Sequence, residues 1–257
     1  MQKLYQNKDW LYNIYTIKNL STVQVSILLK VNDETIRRWL HKFNIPVRSY
    51  GLAKHLKYGN HCQLSSEMIK WLNGELLGDG NLYSRSSYSA NFRYGSKYFE
   101  YCQYVSDTLK CFGIEQSGKI NKRYHKDRNC YSYFYQSRRY AELLPIRKQW
   151  YPEGKKIIPK DLKLTPLTLR QHYIGDGSLV HPKKAKPYIV LSTCGFSISD
   201  VNWLIEQVNS LGFKATKYSS RNSIYISTYS TKDFLNYIGK CPIKCYQYKW
   251  NYNEEDK

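Results

Sequence analysis

The sequence predicts an α+β protein of two pseudo-symmetric lobes, each in the order αββαββα, preceded by a small all-α unit. Three observations carry that prediction. Gly78-Asp79-Gly80-Asn81-Leu82 recurs as Gly175-Asp176-Gly177-Ser178-Leu179, with the aspartates 97 residues apart. Each copy follows a helix-like run and precedes the same succession of strands and helices. The first 46 residues, in contrast, carry apolar positions at helical spacing only. A period near 100 residues is too long for a solenoid and suits a duplicated half whose copies pack about a pseudo-twofold axis. The boundaries that follow are a helical unit over 1–46, a basic linker over 47–63, and lobes over 64–154 and 155–257.

In the N-terminal unit, Ser21 caps a helix from Thr22 to Lys30 with Val23, Ile27 and Leu28 inward. Asn32 caps a second, Asp33 to Phe43, with Ile36, Trp39 and Leu40 inward, and Pro46 stops it. Two short helices joined by a tight turn resemble a helix-turn-helix, with Thr35, Arg37 and Arg38 facing outward to meet DNA. Lys30 holds the turn position where Gly is usual, at some backbone strain. Residues 47–63, with Arg48, Lys54, His55 and Lys57, lack helical periodicity and read either as a linker that tracks phosphates or as a solvated connector.

In each lobe the strand candidates are Asn91 to Gly95, 117–124 and 131–136, then Tyr188 to Thr193, 214–219 and 223–229. The helices between and after them are Tyr98 to Phe112 and Arg139 to Leu144, then Ile198 to Leu211 and Lys232 to Ile238. Alternation turns Phe92, Tyr94, Ile224 and Ile226 toward the helices. It leaves Asn91, Arg93, Ser223, Tyr225 and Ser227 on the open face, and Lys119, Asn121 and Arg123 together on one face of their strand.

Charge narrows the partners. Forty Lys and Arg stand against 20 Asp and Glu, a formal net charge of +20. Such an excess points to a polyanion, with double-stranded DNA first. No run approaches the roughly 18 apolar residues of a spanning helix, and no leader or transit segment opens the sequence, so the expected setting is intracellular and away from a membrane. Seven cysteines without framework spacing are read as free thiols in a reducing compartment, not as a zinc set. With two Met and eight Phe, many of the 26 Tyr must fill the core.

The acids are the chemical feature. Ser65 or Ser66 caps the first repeated helix, and Thr165-Pro166 opens the second. Gly80 and Gly177 are expected to close them in the left-handed conformation. Asp79 and Asp176 then sit against the negative ends of two helix dipoles, an unfavourable place unless a cation is bound. Carboxylates with helix-end carbonyls, here those of Gly78 and Gly175, are the oxygen ligands that Mg²⁺ prefers; Mn²⁺ is the substitute.

Leu72-Asn73-Gly74-Glu75-Leu76-Leu77-Gly78-Asp79-Gly80 resembles the nine-residue motif of the LAGLIDADG homing endonucleases. Lys155-Lys156-Ile157-Ile158-Pro159 through Tyr173-Ile174-Gly175-Asp176-Gly177-Ser178 resembles that family's second motif with its lead-in. The resemblance covers residues 64 to about 250 and matches the monomeric, two-motif type. It implies motif helices packed side by side between the lobes, and curved antiparallel sheets forming a saddle along the DNA major groove. It also implies Asp79 and Asp176 as metal-binding acids and a basic residue near each, Lys156 in the first half and Lys240 in the second. The implied reaction is metal-assisted phosphodiester hydrolysis across the minor groove, leaving short 3′ overhangs. Gln171 departs from the small third position that Gly74 keeps, and Glu75 and His172 are more polar than the pattern, so asymmetric helix packing is expected. Two alternatives share the scaffold: a DNA-binding regulator, and a maturase acting on intron RNA. An intein-embedded enzyme is not expected from residues at either end of the sequence.

Overall fold

Short polar caps start the N-terminal helices as their sequence requires. In the computed structural model, which describes residues 3–218 and 222–252, the chain divides into two units, residues 1–59 and 60–257. In the first unit, α1 (Lys8–Tyr12) runs into a π turn over Asn13–Ile17, followed by α2 (Thr22–Leu29) and α3 (Asp33–Lys42). The Ser21 hydroxyl accepts from the Gln24 amide (3.1 Å) while the Gln24 side chain accepts from the Ser21 amide (2.9 Å), a closed capping box. Asn32 accepts from the Glu34 amide at 2.9 Å. Between the helices Lys30 takes φ 55° and ψ 45°, the left-handed turn anticipated at a non-glycine residue.

The face of α2 differs from the expectation. Val23, Ile27 and Leu28 are exposed, and Thr22, Val25 and Ser26 turn inward onto Leu11, Tyr15, Ile36, Leu40 and Ile45. The segment Thr22-Val23-Gln24-Val25-Ser26-Ile27-Leu28-Leu29 carries apolar side chains on every side, so periodicity could not select one. The inner face of α3 is as anticipated, with Ile36 and Leu40 buried and Trp39 half-buried.

Two further corrections concern the linker. Residues Tyr50–Tyr58 form α4, begun by Ser49, whose carbonyl accepts from the Ala53 amide at 3.0 Å. Leu52-Ala53-Lys54 are good helix formers without a proline, and the lysines do not prevent a helix. Arg48 is a brace within its own unit. Its guanidinium lies 3.9 Å from the Tyr15 ring centre and donates to the carbonyls of Tyr15 (3.0 Å), Asn19 (3.1 Å) and Leu20. Those bonds turn both terminal nitrogens onto backbone carbonyls of its own unit.

The second unit repeats one plan. The first lobe has α5 (Ser66–Leu77), β1 (Asn81–Tyr83), β2 (Asn91–Ser96), α6 (Phe99–Cys111), β3 (Asn121–His125), β4 (Cys130–Gln136) and α7 (Leu143–Trp150). The second has α8 (Pro166–Asp176), β5 (Gly177–Val180), β6 (Tyr188–Ser192), α9 (Ile198–Ser210), β7 (Ala215–Lys217), β8 (Ser223–Ile226) and α10 (Thr228–Ile238), then a 3₁₀ helix over Lys244–Trp250. Each lobe holds one antiparallel sheet, ordered β1-β2-β4-β3 and β5-β6-β8-β7. Strands β1 and β5 are short and follow the repeated acids directly, so alternation alone did not mark them. The helix anticipated over 139–144 lies at Leu143–Trp150, and α10 begins where the last strand was expected to continue. Ser219, the end of one strand candidate, lies outside the described residues.

Phe92, Tyr94, Ile189, Leu191, Ile224 and Ile226 point into the core as alternation required. Tyrosine supplies much of its volume: Tyr94, Tyr101, Tyr135, Tyr140 and Tyr173 are almost wholly buried. The lobes meet along α5 and α8, capped by Ser65 (Met68 amide, 3.1 Å) and Thr165 (Thr168 amide, 3.1 Å). Contact is close enough that a methyl on Gly74 would fall 2.4 Å from the Thr168 carbonyl oxygen and 2.7 Å from Gln171 Cβ. The large Gln171 therefore faces the small Gly74, and one glycine serves both helices. The Thr168 hydroxyl adds a bond to the Lys70 carbonyl at 3.1 Å.

Gly74→Ala should destabilise the second unit by about 1–3 kcal/mol, since a backbone carbonyl must move to admit the methyl. The denaturant midpoint measures this, and an unchanged midpoint would contradict the packing described.

Candidate active site

The repeated acids sit where the two motif helices end against each other. A methyl on Gly78 would lie 3.5 Å from Gly175 Cα, and one on Gly175 would lie 3.4 Å from the Asp79 nitrogen. Glycine at these two places lets the helix ends, and with them Asp79 and Asp176, approach across the pseudo-dyad. Gly80 and Gly177 act differently from the expectation. Neither has positive φ, and Gly177 is extended at φ −89° and ψ 153°. Side chains are excluded there by space: a methyl would lie 2.6 Å from the Glu75 carbonyl oxygen at Gly80 and 2.0 Å from the Tyr173 ring at Gly177.

Each helix end is closed by a lysine. Lys156 Nζ donates to the Gly78 (2.9 Å) and Gly80 (3.0 Å) carbonyls. Lys249 Nζ donates to Ile174 (2.6 Å) and Tyr173 (3.3 Å) and reaches Gly175 at 3.4 Å. An ammonium at a helix C-terminus meets the negative dipole end and the orphan carbonyls together. Lys240, anticipated for the second half, is exposed beyond α10 beside Trp250 and Tyr252, and Lys249 holds the place instead. The signal was available: Lys156 follows Asp79 by 77 residues and Lys249 follows Asp176 by 73.

The four charges perturb one another. Burial pushes the Asp176 carboxyl up to about 6, with Asp79 adding to the rise and the two lysines opposing it. Burial also raises Asp79, against Lys156, Lys249 and Tyr94, although the carboxylate stays open on one side. Burial brings both lysines down to about 8 against the pull of the two aspartates. The Tyr94 hydroxyl is buried beside Asp79 without a hydrogen bond of normal geometry.

Polar residues behind the acids differ between the halves. Glu75, fully buried and raised to about 8 by desolvation, accepts from the Tyr101 hydroxyl at 2.6 Å. Tyr101 also reaches Gln171 (3.2 Å), whose amide donates to Tyr104 (3.3 Å). His172 occupies the place in α8 that Glu75 has in α5. Burial lowers it to about 4, helped by Lys156 and Lys249, and the Ser192 backbone approaches the ring without closing a bond of normal geometry.

The sheets carry the other anticipated positions. Arg93 and Asn121 line an open pocket with Asp79, Arg123 is exposed on the same face of β3 as Asn121, and Lys119 is exposed just before that strand. Asn91 is buried; its amide, oriented to make both bonds, donates to the Tyr83 carbonyl (2.9 Å) and accepts from Arg93 Nε (3.3 Å). In the second lobe Ser223 lines a pocket with Asp176 but is largely covered, its hydroxyl 3.7 Å from Cys194 Sγ. Ser227 is buried at the start of α10, and Tyr225 is half-buried among Tyr188 and Tyr218. Alternation assigned the faces; neighbouring side chains decided the exposure. In the N-terminal unit Arg37 and Arg38 are exposed, Arg37 paired with Asp33 at 3.4 Å, and Thr35 is half-buried.

Residues 69–234 match the model of the LAGLIDADG DNA endonuclease family. The chain belongs to that family. Its fold is that of the two-lobed homing endonucleases. I-WcaI, solved bound to its DNA recognition sequence, matches with a TM-score of 0.64 over 80% of this chain and 94% of that one, at 20% identity. I-DmoI, solved in complex with DNA and Mn, matches at 13% identity with a TM-score of 0.44, covering 69% of this chain and 99% of that one. The uncharacterized protein MJ1098 of Methanocaldococcus jannaschii is 24% identical over 225 residues, 86% of each chain.

Replacing Lys249 by Met should slow DNA cleavage by about 100-fold or more, as loss of a preorganised cation does, whereas Lys240→Met should cleave at nearly the parent rate. Timed cleavage of a duplex substrate compares the two, and the opposite ranking would return the role to Lys240. His172 gives a pH dependence. Its folded value, about 4, lies below the ordinary 6.5, so above pH 6.5 it contributes no difference between folded and unfolded chains. As pH falls from 6.5 to about 4 the unfolded chain takes up a proton that the folded chain refuses, and stability is lost, by up to about 3 kcal/mol. Denaturant midpoints across that range should decline less steeply in His172→Leu.

Proposed function

We propose that this DNA endonuclease makes site-specific double-strand breaks by divalent-metal-dependent hydrolysis at a long target. The observation that carries the reading is the pair Asp79 and Asp176, held together at two abutting helix ends, each end backed by a lysine, half-buried Lys156 and buried Lys249. Both carboxyls are raised by burial, which a bound cation would relieve. The donor set suits a hard ion: two carboxylates, and no cluster of three or more His, Cys, Asp or Glu among the described residues. Mg²⁺, or Mn²⁺ in its place, is commonly held by one or two carboxylates with water and phosphate completing the shell. When bound, the metal supplies Lewis acidity toward the phosphoryl group and an acidified water.

The chain's own residues do the rest. Asp79 and Asp176 hold the ion and, one from each lobe, face the two strands of the duplex. Lys156 and Lys249 place positive charge where negative charge develops on the scissile phosphates, and their bonds to helix-end carbonyls fix them there in advance. The open sheet faces of the two lobes lie along the DNA, and phosphate contacts by the surplus of Lys and Arg set its register. Exposed Arg37 and Arg38 suit the N-terminal unit to a second DNA contact. The duplicated lobes in one chain supply both acids, so a monomer suffices.

Asp79→Asn should abolish cleavage in Mg²⁺ while duplex binding, followed by electrophoretic mobility shift, changes little. Asp176→Asn should do the same, and chelation should stop the parent. Cleavage by Asp79→Asn at the parent rate would overturn the assignment.

A further inference from the structure

The pockets beside the two acids occupy matching places and have opposite chemistry. Asn81 and Ser178 each stand two residues beyond an aspartate, and they pair with Arg93 and Val190 respectively. Arg93 and Val190 are therefore the same position in the two sheets. Their neighbours across the next strand are Gln136 and Tyr225. The pocket at Asp79 is lined by Asn81, Arg93, Asn121 and Gln136, a cation among amides. The pocket at Asp176 is lined by Ser178, Val180, Val190, Ser192 and Ser223, with no cation in its lining.

Arg93 is also held in one pose. Its guanidinium lies 3.7 Å from the Tyr83 ring centre, and Nε is engaged by the buried Asn91. Tyr83 in turn accepts from Arg85 Nε at 2.6 Å. Arg85 and Arg139 surround Arg93 with like charge, which favours contact with an electronegative partner. Among the described residues, no protein hydrogen bond takes the terminal nitrogens of Arg93. A planar fork fixed in this way matches the N7 and O6 acceptors of guanine in the major groove. The amides around it can pair with adenine edges.

We infer that Arg93, positioned by Tyr83 and Asn91, reads a guanine in the half of the target under the first lobe, whereas Val190 contacts a thymine methyl at the matching place under the second. The target is thus asymmetric beside its centre. The inference rests on the double-strand cleavage reading only for where the duplex lies.

The test uses the full chain and a library of randomised duplexes, selected for binding in chelator and, separately, for cleavage in Mg²⁺. Both selections should favour guanine at one position, about 5- to 150-fold over the other bases. Arg93→Leu should flatten that position and leave the others in place. Asn91→Ala should weaken the same preference although it cannot touch a base, and Val190→Arg should add a guanine in the opposite half. If Arg93→Leu instead weakens all sequences equally, with the selected site unchanged, Arg93 is a phosphate anchor and the inference falls. A bound consensus that carries the guanine but is never cut would sink the proposed function and leave this inference standing. Failure to enrich any sequence would overturn both.

Discussion

The contact between α5 and α8 is the constraint on which the site depends. Gly74 under Gln171 and Thr168, and Gly78 against Gly175, bring two helix backbones within van der Waals reach. That approach places two carboxylates together, which is electrostatically costly. The lysines offset the cost, and they can do so because the same helix ends present unpaired carbonyls to hold them. Packing, charge and the placement of the two acids are thus one arrangement.

The duplication is exact in topology and loose in chemistry. Both sheets keep one strand order, and both acids keep one relation to the first strand of their sheet. Behind the acids, Glu75 faces a tyrosine network in one half while His172 sits without a hydrogen bond of normal geometry in the other. In front of them, the pocket at Asp79 holds a cation, Arg93, and the pocket at Asp176 holds none. A covalent pair of lobes permits this divergence, since a change in one half is not imposed on the other, as it would be in a homodimer.

Much of this was legible in the sequence, for identifiable reasons. The repeated Gly-Asp-Gly and the αββαββα order were readable because each rests on local pattern, and Lys156 because the family resemblance implied a basic residue there. Inward-facing Phe92, Tyr94, Ile224 and Ile226 followed from the two-residue period of strands. Errors arose where tertiary surroundings decide. Asn91 and Ser223 are on the faces alternation gave them, yet Tyr83 and Arg93 engage the first and Cys194 lies by the second. Arg48 reads as a phosphate ligand until the folded chain turns it onto Tyr15 and its neighbours. Lys249 matches the spacing of Lys156 from its acid more closely than Lys240 does, and the final 3₁₀ helix is what carries it to the end of α8. Gly80 and Gly177 were located correctly and explained wrongly, because crowding by the preceding turn is invisible in one dimension.

The location of Lys249 bears on how activity appears during synthesis. It belongs to the last described element, Lys244–Trp250, after every strand and α-helix of the second lobe. A nascent chain emerging from the ribosome can fold the first lobe and even pair the two motif helices before that lysine is available. At that stage the aspartates face each other with one counter-charge in place of two. The charge balance at the two acids thus depends on a segment that follows both sheets, and a chain stopped before Lys244 would leave the end of α8 without its ammonium.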